Sequence, residues 1–272
     1  MKEESTSVLV ESRMEHRPVP KHWGESELTK FLALLEEQTL ASFACLPDWF
    51  GILVRIDQSV TEQAPNFFHE IDPPRRTSVK LFMRCFATYR ATVRLSVSGQ
   101  LFEATVLMRS LLESAAYAWI CYVSEQHRKA WEDRGNGAEE RKRSRQIFSW
   151  SDLLKTLAST DANLSARISD QYDHLIDHGA HPNVNGLELS ADVKEIGHNK
   201  YEIVTVFAHG RDAVLLAVLD LVRCMHYVCQ LLYMVIKERL EILGLDAEFK
   251  KTSALISQLI DKLEAEQHAK NV

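Results

Sequence analysis

The chain has 272 residues, 46% of them hydrophobic and 26% charged, the balance expected of a soluble globular protein of one large or two small domains. Lysine and arginine number 32 against 38 aspartates and glutamates, a formal net charge of -6, which excludes the overall basic footprint of a dedicated nucleic-acid binder and leaves only a local patch for such a role. Met1 to Ser5 lack a charged-then-apolar leader, and the longest apolar run, Ala213 to Leu219, stops at Asp220, so the expectation is a cytoplasmic protein without a membrane span.

Residues 1–25, with Pro18 and Pro20 and no periodicity, read as an N-terminal arm. Ser26 is a helix N-cap candidate, and apolar spacing through Phe31, Leu34, Leu35 and Leu40 predicts a helix toward Cys45. Pro47 restarts a second helix through Phe50, Leu53 and Ile56, and Pro65 with Pro73 and Pro74 punctuates a loop. Helices are predicted over about 76–97 and 100–126, separated by Gly99. The charge-dense stretch Arg128 to Arg145, with Gly135, Asn136 and Gly137, reads as an exposed unstructured loop.

Helical spacing returns over about 150–158 and 162–178. Period-two segments at Leu187 to Ser190 and Tyr201 to Phe207 flank Gly197 to Lys200, which predicts a hairpin at about 187–207. A long helix from Arg211 to about Ile242 stops at Gly244, and a last helix passes through Phe249, Leu255, Leu259 and Leu263 to a polar tail. The fold class expected is mainly α, an antiparallel helical bundle with one small β-hairpin insertion, forming a single domain over 26–272. Cys45, Cys85, Cys121, Cys224 and Cys229 show no C-x-x-C spacing and read as reduced core residues.

Three loci carry candidate chemistry. On the helix from Arg76, about 100° per residue places Arg76, Lys80, Arg84, Arg90 and Arg94 on one face opposite Phe82, Cys85, Phe86, Tyr89 and Val93. No acid lies between Asp72 and Glu103 to neutralise them at i,i+4. This face fits either a polyanion or cations paired elsewhere in the fold.

On the next helix, apolar nearly all round, Arg109 and Glu113 at i,i+4 are expected to be buried and to pair. The pair sets helix register or belongs to a polar locus with Tyr172, His178, His181 and Asn183.

The third is His174-Leu-Ile-Asp-His-Gly-Ala-His-Pro-Asn183, three histidines at a helix end. Imidazoles so placed move protons or ligate metal near neutral pH. His174 and His178 at i,i+4 lack a second ligand cluster, so no metal and no cofactor is expected. Arg167 and His174, at i,i+7, share a face and suit metal-free acid–base work on a phosphate, or simply meet solvent.

Arg109-Ser-Leu-Leu-Glu113 followed by Tyr172-Asp-His-Leu-Ile-Asp-His-Gly-Ala-His-Pro-Asn183 resembles a pattern in uncharacterised bacterial all-helical domains, themselves similar to HEPN bundles. Arg167-x6-His174 meets the Arg-to-His spacing of that group at its outer limit, with Ile168 where the group usually carries a polar residue. The resemblance implies one of two functions. One is a non-catalytic intracellular helical module that binds RNA or an acidic partner, for which the charge pattern offers the Arg76 to Arg94 face. The other is a metal-independent HEPN-like endoribonuclease of toxin or defence type, using Arg167 and His174 in a homodimer.

Overall fold

A computed structural model describes residues 19–69, 72, 75–180, 191–205 and 210–270. Helix α1 (Glu27–Cys45) begins where the Ser26 side chain accepts the Thr29 amide at 3.2 Å. Pro47 occupies the first turn of α2 (Pro47–Ile56), and the chain bends by 102° across Leu46. Proline is tolerated there because the first-turn amide has no intrahelical partner. A π-turn, Asp57–Thr61, and the one-turn α3 (Ala64–Phe67) follow.

Helices α4 (Arg76–Val97) and α5 (Leu101–Val123) are the centre of the molecule. Only three residues join them, and Gly99, at φ 84°, turns the chain back. Ser78 Oγ donates to the Ala118 carbonyl at 2.7 Å and the Cys85 thiol to the Leu111 carbonyl at 3.7 Å, so the two helices run antiparallel. Ala104, Ala115 and Ala118 are fully buried on α5, and such small side chains let the backbones approach while Phe82, Phe86, Met108 and Trp119 fill the space around them.

The segment 128–145, expected as a loop, is helical. After α5 ends, Ser124 caps α6 (Glu125–Glu132), a 3₁₀ turn covers Asp133–Gly135, and α7 (Ala138–Ile147) follows. Glu, Arg, Lys and Ala are good helix formers whatever their charge, and the glycines mark only the turn between two helices. A ring cluster anchors this hairpin: Phe148 meets Tyr117 at 5.0 Å, Trp131 at 5.3 Å and His127 at 5.5 Å between centroids.

Helix α8 (Trp150–Ala158) pairs with α9 (Ala162–Leu175), whose N-cap Asp161 accepts the Leu164 amide at 2.8 Å. Regular helix ends three residues short of the expected 178 and passes into a π-turn, Ile176–Ala180. Gly179 sits there at φ 122°, and an added Cβ would lie 2.8 Å from the Phe102 ring. Any other residue would push this turn off α5.

Strands β1 (Ala191–Gly197) and β2 (Lys200–Thr205) form the antiparallel hairpin, with Asn199 at φ 58° in its turn. Residues 187–190 and 206–207 of the expected hairpin lie outside the described residues. Helix α10 (Arg211–Leu243) then crosses the core and ends at Gly244, φ 68°, before α11 (Asp246–Lys270). By length and composition α10 is apolar enough to cross a membrane, although Asp220 interrupts the run; 67% of its most apolar window is buried inside the bundle.

The protein is therefore a mainly α-helical bundle with one small hairpin. Four cysteines are buried as expected, but Cys45, at the end of α1, is exposed.

Candidate functional site

Arg109 Nε donates to Glu113 Oε1 and to Tyr172 Oη, each at 3.0 Å, and the Tyr172 hydroxyl donates to the same Glu113 oxygen at 2.8 Å. The expected pairing of Arg109 with Glu113 is present, but its full burial is not: the two side chains are 22% and 29% exposed. Trp150 stacks on Tyr172 at 4.2 Å and 23°. The Arg109 guanidinium lies 5.1 Å from the same ring. Burial, helped by Glu113, pushes the Tyr172 phenol up to about 12. Burial opposes the charge on Arg109, yet Glu113 and Tyr172 more than offset it and hold the guanidinium protonated. This closed triangle ties α5, α8 and α9 together, and its phenol has no means of losing a proton near neutral pH. His181 and Asn183, expected beside it, lie outside the described residues.

His174 faces α10. Its Nε2 is 3.1 Å from Asp220 Oδ2, and Asp220 Oδ1 accepts from Arg223 at 3.1 Å and from Gln171 at 3.5 Å. The His178 ring lies 4.0 Å from that of His174, tilted by 34°, and donates from Nδ1 to the His174 carbonyl at 2.8 Å. The bond to Asp220 outweighs burial and raises the His174 pKa. Burial pushes the Asp220 carboxyl up, but His174 and Arg223 hold it below the usual range. The contact thus favours the protonated form of His174 and the ionised form of Asp220. Among the described residues, no group of three or more His, Cys, Asp or Glu side chains is placed to hold a metal ion.

Arg167 does not join His174. Its Nη2 donates to Gln230 at 3.2 Å and its guanidinium lies 5.8 Å from the Tyr227 ring, so the two residues engage different partners along α10. Asp220, Arg223 and Gln230 were not singled out by sequence reasoning. The available signal was the one that marked Arg109 and Glu113, namely polar residues inside a helix otherwise buried nearly all round.

The basic face of α4 divides in two. Arg90 makes a bidentate pair with Asp57, both bonds at 2.8 Å, whereas Arg94 is exposed, lines a groove with Glu36 and forms no ion pair within 4.0 Å among the described residues. Arg76, Lys80 and Arg84 are exposed and form no ion pair within 4.0 Å among the described residues. Arg75, just before the helix, lies 5.4 Å from the Tyr122 ring. No family model, no curated protein and no solved structure matches this chain.

Proposed function

We propose that the protein is a non-catalytic binding module that takes RNA on the N-terminal half of α4. One observation carries the reading: Arg76, Lys80 and Arg84 stand exposed at successive i,i+4 positions with no carboxylate within 4.0 Å among the described residues. Their helical rise of about 6 Å per step suits successive phosphates along a strand. Arg90, held by Asp57, is a stability residue in this reading. Arg109, Glu113 and Tyr172 serve as the scaffold that fixes α5 behind the binding helix.

The test is the triple charge reversal Arg76→Glu, Lys80→Glu and Arg84→Glu, with affinity for a single-stranded RNA pool measured across salt. Loss of about three phosphate contacts should flatten the log–log salt slope by about 2. An unchanged affinity and slope in a folded variant overturns the reading.

A second reading, the metal-independent endoribonuclease, draws support from the His174–Asp220 contact, which raises the pKa of a part-exposed imidazole and so favours the form that could act as a general acid. Arg167 contributes less to it, being engaged with Gln230. RNA cleavage that persists in EDTA and disappears in His174→Ala would replace the binding module with the nuclease.

A further inference from the structure

Between α9, α10 and α11 lies a cleft of about 470 Å³, lined on one side by Arg167, His226 and Gln230 and on another by Leu164, Met234 and Phe249. It is separate from the basic face of α4, and its size falls within the range of small-molecule sites. Its polar wall is incompletely satisfied. Arg167 Nε and His226 Nδ1 are both buried, and neither has a hydrogen-bond partner among the described residues.

The bonds that do form determine which groups these atoms are. Gln230 Oε1 accepts from Arg167, so the Gln230 amide nitrogen is the atom directed at His226 Nε2, 2.6 Å away. Nε2 therefore accepts, and the imidazole proton resides on Nδ1. Two adjoining side chains in one wall thus each carry an N–H donor without an acceptor, and buried donors in folded proteins are nearly always matched. The wall also carries an uncompensated charge. Arg167 has a glutamine and an aromatic face as partners and no carboxylate within 4.0 Å among the described residues. Of the other charges at the cleft, Lys250 pairs with Asp246 at 2.9 Å, while Asp161 caps α9 and keeps its negative charge at the rim away from Arg167, beyond 4.0 Å.

We infer that this cleft binds a small organic carboxylate, its head accepting from Arg167 and His226 and its apolar body lying against Leu164, Met234 and Phe249. A single negative charge matches the single unmatched guanidinium, and two carboxylate oxygens match two donors. The apolar wall favours a ligand with a hydrocarbon body over a fully hydrated inorganic anion.

Octanoate serves as the probe and octanamide as its neutral analogue. Calorimetry is run on the full chain, and the ¹H–¹³C shifts of the His226 ring are followed during the same titrations. The expected result is saturable octanoate binding that moves the His226 resonances, with octanamide weaker by tenfold or more. Arg167→Met should lose at least tenfold in affinity. Should that variant fail to fold, Ala254→Trp fills the cleft from an exposed position on α11 and leaves the charged wall in place, and it should lose binding by a similar factor. The inference is overturned if His226 does not respond to octanoate, if octanamide binds as tightly, or if Ala254→Trp binds octanoate unchanged. None of these outcomes bears on RNA binding by α4.

Discussion

His226 is buried on α10, and that burial, with Arg167 nearby, pushes its imidazole down to about 4. His174 is moved the other way by its bond to Asp220. A folded-state pKa below the unfolded value of 6.5 means that the unfolded chain takes up the proton first. His226 therefore contributes fully above pH 6.5, and the contribution is lost as pH falls toward 4, a change of roughly 3 kcal/mol. His174, with a raised pKa, contributes fully below 6.5 and loses that contribution as pH rises through its folded value. Stability in urea should therefore decline on both sides of a maximum near pH 6.5. His226→Gln should flatten the acid limb between 6.5 and 4, leaving the smaller part due to His127, which burial also depresses. Asp220, held low, acts in a separate window: its contribution is present above the usual carboxylate pKa and lost only as pH falls through its lower folded value. Replacing it in Asp220→Asn should lower the His174 pKa, read from the imidazole resonances; a titration identical to wild type would remove Asp220 as the cause.

At the scale of elements, α6 and α7 show where local reading stops. Their sequences are dense in charge, and what makes them part of the fold is the packing of Trp131 and Phe148 on Tyr117, contacts that no charge count contains. Phe148→Ala should cost about 3 kcal/mol and raise amide exchange throughout 125–147 while α4 and α5 stay protected. Uniform loss of protection across the chain would instead make this hairpin part of one cooperative unit with the core. The elements with clean apolar periodicity and an identifiable cap were legible: α1 from Ser26, α2 from Pro47, α4, α5, and α10 up to Gly244. The end of α9 was not, because its π-turn depends on Gly179 approaching Phe102, a contact across 77 positions of sequence.

For the molecule as a whole, side chains were legible as to face and illegible as to partner. The 100° rule placed Arg76, Lys80, Arg84, Arg90 and Arg94 together, but Asp57, which takes Arg90 out of that face, lies 33 positions away. Asp220, which engages His174, lies 46 positions away. Such pairings are set by how the helices cross, and one buried cluster sets the crossing: it includes Leu46 and Trp49 near the α1–α2 bend, Trp119 on α5, Leu221 on α10 and Ile256 on α11. Helix α10 runs through this cluster from Val214 to Leu240, so no group of helices can leave without exposing its apolar surface to water. Cooperativity follows, because the loss of one helix strips contacts from its neighbours at about 25 cal/mol for each Å² uncovered. Tryptophan fluorescence, which samples Trp49 and Trp119 in different parts of the cluster together with Trp23, Trp131 and Trp150, should therefore trace the same urea transition as far-ultraviolet circular dichroism, with one midpoint. Two separated midpoints would mean that a region carrying some of the five tryptophans unfolds independently of the rest, and that the shared cluster does not couple them.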